Sequence, residues 1–469
     1  MYLMIVVFLI VYAIYFFSGG GGTGGLPGGG GGGGGNLSQG PVSLEDSFPV
    51  RVGSQYDNWK SKTTVGGEEK FMQVAAFVFW YKSGTIDENE WKDWGVLFNE
   101  IRVDCITNWN FKDPPNMRDL NCCVNIYLTN DISPNVGTET IDNVKTPCMF
   151  MAFGLDDTTN TRSLILHEAF HIFQWCGTNC GGLRGFSYED NHKWYTETLA
   201  NLYVALNNDD YDQHEVAGIL ANPHLNMWQS FDNLKGINDP TAGESWLYGV
   251  RQYSSAIPYY FIVSKGIERH IFSEGHYNLT KLSPQVYLYA NIPNFEESYA
   301  DFGASLIHCA WLPKNKTYYE EIIAEYARNE GPQHVHQYVC EFDLADGLES
   351  VELNPKVSGI NYLHTPHNFQ SGFFYPSPYI ATRAWGFNIY KIRHSTQATI
   401  QIELDTDILE DYRIRIVDDQ GSVIGSYDNL VETNSTQITN GYTYIVIACV
   451  TKVFSGYDAF EYGIRINTL

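Results

Sequence analysis

Two histidines four residues apart with a glutamate between them, in the run HEAFH at His167, Glu168 and His171, are the residues of this chain best suited to do chemistry. On an α-helix, positions four apart share a face, so both imidazoles can converge on one cation while Glu168 sits one position round, facing a water held there. Borderline-soft Zn²⁺ takes neutral imidazole readily, and a hydrolytic site needs three protein ligands with a fourth position left open. A third ligand is therefore required for one catalytic Zn²⁺. Glu197, in WYTETLAN, fills that place best. It lies on the next helical segment, reachable through the loop between Gly177 and Asp190, and Trp194 and Asn201 share its face. Asn201 can hydrogen-bond a ligating imidazole from behind and set its tautomer. His192 is nearer in sequence and is the alternative third ligand.

A site of this kind supports attack of an activated water on a carbonyl, with Glu168 taking the water's proton and passing it to the leaving amine. The tetrahedral oxyanion needs a donor. Tyr248, in WLYGVRQY, is the first candidate, with Tyr253 and His192 behind it, whereas His224 in NPHLNMW reads as a turn residue. The plain alternative makes the two histidines core residues and Glu168 a solvated charge. Burying three such groups together without a metal would leave polar atoms unpaired, which counts against it.

The elements that must position these residues are legible from periodicity. SLILHEAFHIFQW carries Leu164, Ile165, Phe170 and Phe173 at helical spacing and is read as a buried helix stopped by Gly177 and Gly181. NHKWYTETLANLYVAL is the second helix, and YGVRQYSSAIPYYFIV, NFEESYADFGASLIHCAWL and TYYEEIIAEYARN extend a helical lobe. Ahead of them, MQVAAFVFWY reads as a strand, Trp91, Trp94, Phe98 and Ile101 as one helix face, and VNIYLT as a second strand. After about Tyr375, short alternating runs such as ATIQIEL, YRIRIVDD, YTYIVIACV and FEYGIRI are separated by Asp, Asn and Gly turns, the pattern of an all-β sandwich. The expected fold class is thus α+β. A small mixed α/β unit and a helical lobe make a body over 46–330, followed by a connector over 331–374 and a β-sandwich over 375–469.

HEAFHIFQW followed by WYTETLAN resembles the gluzincin peptidases, in which an HExxH helix is followed by a Glu on a second helix. The order of features is most similar to secreted metallopeptidase-like proteins with HExxHxxQ and WxxExxAN motifs and a terminal β-sandwich, over roughly Phe71 to Leu469. The matching positions are His167, Glu168, His171, Gln174, Trp194, Glu197, Ala200 and Asn201. The resemblance implies a zincin-like body, a zinc site and hydrolysis of peptide bonds in a protein, peptide or glycoprotein substrate. Thermolysin-like members carry Asp where this chain has Asn201, which removes a charge behind the imidazole but keeps the hydrogen bond. The spacing from His171 to Glu197 departs from the aminopeptidase branch, so no exopeptidase activity is implied.

Composition narrows the field further. A net charge of −25 over 469 residues, with no basic stripe, argues against a nucleic-acid partner. Nine cysteines are too few and too scattered for a disulfide scaffold. In an oxidising compartment Cys176 with Cys180, and Cys105 with Cys122 or Cys123, are possible bridges; in a reducing one they are buried thiols. Met1 to Phe17 is uncharged and almost wholly apolar and is read as a membrane segment, an uncleaved anchor in preference to a signal peptide because a basic start and a small-residue cleavage site are missing. The glycine-rich 18–45 reads as a flexible linker. The expectation is a single-pass membrane protein, its body outside the cytoplasm or on a virion membrane, or secreted if the segment is cleaved. The competing function is an inactive zincin-fold structural or binding protein of a cell or virion surface.

Overall fold

Met72–Tyr81, an apolar run interrupted only by Gln73, forms two strands and not one. In the computed structural model, which describes residues 42–130, 134–153, 159–175, 193–208, 214–223, 255–274, 284–330, 339–344, 368–376, 382–383, 385–428, 430, 435–451 and 459–469, β1 (Glu69–Val74) turns back at Ala75 into β2 (Phe77–Lys82). Ala75 takes φ 47°, a left-handed conformation that a side chain ordinarily avoids. A distant amide holds it there. Asn99, on α2 (Glu88–Thr107), accepts from Ala76 N at 3.2 Å and donates to Val74 O at 3.0 Å, replacing the Gly or Asn chemistry a tight turn usually carries. Helix α1 (Gln55–Lys62) precedes this hairpin. Asp87 caps α2 by accepting from Asn89 N at 2.8 Å, and Trp91, Trp94, Phe98 and Ile101 are buried along one stripe.

The sheet continues through β3 (Val124–Thr129), parallel to β2, then β5 (Val144–Ala152), parallel to β3, and ends on antiparallel β4 (Asn135–Ile141), in the order β1-β2-β3-β5-β4. Between VNIYLT and the HEAFH helix the chain thus forms a hairpin. Asp142 and Asn143 turn it, both at positive φ, after the alternation of Val136, Thr138 and Thr140. Pleat alternation divides the sheet's two faces. Val78, Trp80, Tyr127 and Cys148 pack with Trp59 of α1. Phe77, Phe79, Ile126, Leu128, Met149 and Met151 belong to the main core with α2 and the helices that follow.

Those helices are α3 (Pro115–Arg118), α4 (Thr159–Gln174), α5 (Lys193–Asn207), α6 (His214–Ala221), α7 (Ala256–Lys265), α8 (Arg269–Glu274), α9 (Pro284–Asn291), α10 (Phe295–Ser305) and α11 (Lys316–Glu330). The chain then becomes β-rich. Strands β6 (Cys340–Asp343), β7 (Asn368–Gln370), β8 (Phe373–Tyr375), β9 (Thr382–Arg383), β10 (Phe387–His394), β11 (Ala398–Asp405), β12 (Tyr412–Asp418), β13 (Val423–Tyr427), β14 (Ser435–Ile438), β15 (Gly441–Cys449), β16 (Ala459–Phe460) and β17 (Gly463–Thr468) make two five-stranded sheets and a short pair. The sheet orders are β13-β12-β15-β10-β6 and β14-β11-β17-β8-β7. All their pairings are antiparallel except β6 with β10. Residues of both sheets, among them Ile392, Ile414, Ile447, Ile400, Ile438 and Ile464, share one apolar cluster. The result is a mixed α+β body with several sheets.

The β-rich region is seated on the helices. Tyr299 of α10 stacks on Phe387 of β10 with ring centroids 5.0 Å apart and donates to Trp385 O at 2.7 Å. Arg415 of β12, 2 % exposed, donates to Asp301 of α10 at 2.6 Å, to Asp428 at 2.6 Å and to Glu297 O at 3.1 Å. Arg413 pairs with Glu296 beside it. The main core accordingly includes Trp385, Phe387, Ile389 and Val446 together with α4 and α5. Cys105, Cys122, Cys123, Cys148, Cys309 and Cys449 are buried and form no disulfide, so Cys105 is not bridged to Cys122 or Cys123, whereas Cys176 and Cys180 lie outside the described residues.

The membrane expectation is corrected. Among the described residues no helix is long and apolar enough to cross a membrane. The longest, the 20-residue α2, carries Glu, Asp, Lys and Arg, whose charges a hydrocarbon core would not accept. Met1–Phe17, on which the expectation rested, lies outside the described residues. The membrane anchor, the single-pass topology, the membrane partner and the body held outside the cytoplasm are therefore withdrawn.

Candidate metal centre

The HEAFH helix is locked in rotation by its apolar neighbours. Ile165, Leu166, Ala169, Phe170, Ile172 and Phe173 of α4 are all buried. Phe170 meets Trp109 edge-on at 5.1 Å and stacks on Tyr203 of α5 at 4.7 Å, so the same ring that fixes α4 also docks α5 beside it. Tyr195 ties the start of α5 to α8 by donating to Phe272 O at 2.7 Å. With both helices held, the histidine face of α4 is turned toward Glu197.

His167, His171 and Glu197 form a buried cluster that could hold a metal ion, and it is the one such group among the described residues. His167 Nε2 stands 3.1 Å from His171 Nε2 and 3.2 Å from Glu197 Oε2, and His171 Nε2 is 3.4 Å from that same oxygen. The rings are nearly perpendicular, at 85°. Their other nitrogens are occupied: His167 Nδ1 is 2.8 Å from Asn201 Oδ1 and His171 Nδ1 is 2.5 Å from Gln174 Oε1. The Gln174 amide is oriented by its own donation to Thr196 O at 2.9 Å.

Carbonyl oxygens only accept, so each Nδ1 must carry the proton and donate. In neutral imidazoles both Nε2 atoms then present lone pairs toward each other and toward a carboxylate. Three such donors at contact distance repel unless a cation sits among them. For a tetrahedral ion with bonds of about 2.05 Å, adjacent ligand atoms lie about 3.3 Å apart. The 3.1, 3.2 and 3.4 Å edges fit that figure. The residues present therefore suit a metal ion of this geometry.

Electrostatics agree with the packing. Burial alone would push the His171 imidazole down, but the Glu197 carboxylate and then the Glu168 charge outweigh it and lift it to about 9. Burial would likewise raise Glu197, yet the two histidines, His171 first, hold it well below the usual carboxylate range. Glu168 is 2 % exposed and close enough to His171 to act on its charge.

The expected residues thus come together in large part. His167, His171 and Glu197 converge, Glu168 is buried next to them, and Asn201 meets His167 as its position on α5 suggested. Tyr248, Tyr253, His192 and His224 lie outside the described residues. Gln174 had no role assigned from sequence, although its place three residues after His171, on the same helix face, was the available signal. No protein-family model and no curated protein matches the chain, so what is shown is the cluster itself and not membership of the gluzincins.

Proposed function

We propose that the chain is a zinc-dependent peptidase of gluzincin-like type, with His167, His171 and Glu197 as ligands of one Zn²⁺. The observation that carries this reading is the convergence of three lone-pair donors at tetrahedral spacing, both imidazoles having their Nδ1 protons engaged elsewhere. Zinc in that position would act as a Lewis acid, lowering the pKa of a water and polarising the scissile carbonyl. Glu168 takes the water's proton and delivers it to the leaving amine, and its burial keeps competing solvent away from that transfer. Asn201 keeps His167 in the tautomer that presents Nε2. Tyr248 is proposed as oxyanion donor from its place in WLYGVRQY alone. In this reading 46–330 is a zincin-like body, and the two sheets with a shared core form a β-sandwich that draws β6, β7 and β8 from the stretch expected as a connector over 331–374 and its other strands from 375–469.

The full chain and its Glu168→Gln variant test the reading together. The expected result is one zinc per chain in both, with cleavage of a peptide library falling by about 100- to 10,000-fold in the variant. Glu197→Gln, which removes a charged ligand, should lose zinc first and activity as a consequence. Full zinc with library cleavage no faster than in Glu168→Gln would leave a structural metal or an inactive scaffold. Absence of bound zinc at every pH from 7 to 9.5 would remove the site.

A further inference from the structure

We propose, on the basis of the metal-site reading above, that Gln174 is a positioning residue of the centre: its side-chain amide clamps the two ligand-bearing helices and sets where His171 presents Nε2 to the metal. Gln174 is 0 % exposed and closes the C-terminal end of α4. Both halves of its amide are used. Oε1 faces His171 Nδ1 at 2.5 Å, and Nε2 donates at 2.9 Å to the carbonyl of Thr196, the residue immediately before Glu197 on α5. One side chain therefore spans from the second imidazole to the backbone that carries the carboxylate ligand.

Asn201 makes the reciprocal link, since it is carried on α5 and reaches His167 on α4 at 2.8 Å. The helices are joined by two amide bridges, each ending on an imidazole. The Gln174 bridge governs the 3.4 Å separation of His171 Nε2 from Glu197 Oε2, because it fixes the ring from one side and the backbone of α5 from the other. Chain length and chemistry are both demanded. Asn is one methylene too short for the span; Glu keeps an acceptor for His171 but sets an oxygen against the Thr196 carbonyl; Met fills the volume and offers neither group.

The test uses full-length wild type, Gln174→Met and Gln174→Glu. Zinc affinity is measured by competition with a chromophoric chelator, and ring N–H protons are observed by downfield proton NMR of the zinc-loaded proteins. Thermal unfolding of the zinc-stripped proteins reports folding separately. Wild type should show two downfield ring N–H signals. Gln174→Met should fold, lose the His171 signal and bind zinc about 10- to 100-fold more weakly, the range typical of residues that orient metal ligands. Gln174→Glu should restore the signal, displaced further downfield by the stronger acceptor, and regain part of the affinity. A folded Gln174→Met protein with both signals and zinc affinity within twofold of wild type overturns the proposal while leaving the zinc site standing. If Gln174→Met does not fold, Gln174→Glu decides, and wild-type affinity with no His171 signal overturns it. Wild type that takes up no zinc overturns the metal-site reading and this proposal together.

Discussion

Proton and metal should compete for the same atoms, and pH is the perturbation that exposes it. In the metal-free chain the His171 imidazole is lifted to about 9 against the cost of burial, by Glu197 and then Glu168. At pH 7, two units below, a proton must leave before His171 can ligate, so apparent zinc affinity should be about 100-fold below its plateau above pH 9, or about 2.7 kcal/mol. The slope should be tenfold per pH unit and no steeper, because Glu197 stays ionised throughout that range. Chelator-competition titrations at pH 7, 8 and 9.5 measure the slope, and calorimetry in buffers of different ionisation enthalpy counts the protons His171 releases, about one per zinc at pH 7 and about a quarter at 9.5. A flat profile with no proton released would refute the reasoning. The stability linkage runs the same way. His171 is raised from 6.5, so its contribution to the zinc-stripped fold is complete below about pH 6.5 and is lost as pH rises through about 9. Glu197 is depressed from 4.5, so its contribution is present above that value and lost as pH falls through its lower folded value. The midpoint of thermal unfolding of the stripped protein should therefore drop between pH 6.5 and 9.5, and zinc loading should remove that drop.

Two further expectations concern the scaffold. Glu139, buried on the far face of the first sheet, accepts from Asn125 at 2.6 Å and from Tyr127 at 2.8 Å, yet burial pushes it up from 4.5 to about 7. A raised carboxyl costs stability as pH climbs from 4.5 through 7, by about 3 kcal/mol. Denaturant unfolding of Glu139→Gln should lack that pH-dependent loss; an unchanged profile would count against the assignment. Arg415→Met leaves Asp301 and Asp428 without their shared guanidinium and should cost about 3 kcal/mol, the low end for a broken buried pair because both carboxylates keep some solvent. Unfolding within 0.5 kcal/mol of wild type would show that the β-rich region is held by its apolar contacts alone.

The parts of the site legible in the sequence are those whose geometry is local. His167 and His171 share a face because helical repeat places them there, and Asn201 shares the face of Glu197 for the same reason. What the spacing could not supply is the angle between α4 and α5. That comes from Phe170 on Tyr203 and from Tyr195 on Phe272, contacts between residues far apart along the chain. The membrane expectation shows the opposite limit, because it rested on the hydropathy of Met1–Phe17, which lies outside the described residues, and among the described residues no helix is long and apolar enough to cross a membrane.

Sequence by itself therefore determined which residues could hold a metal ion, the helical address of each and the change of texture into strands, since residue type and periodicity express these within a few turns of chain. Tertiary structure alone decided the rest. Asn99 reaches across from α2 to hold the Ala75 turn, and Gln174 binds α4 to the backbone of α5. Arg415 inserts between two aspartates from different elements. In each case a polar side chain is satisfied by a partner distant in sequence. Burial leaves that group no water to turn to, so the partner becomes fixed only when the helices and sheets close around it.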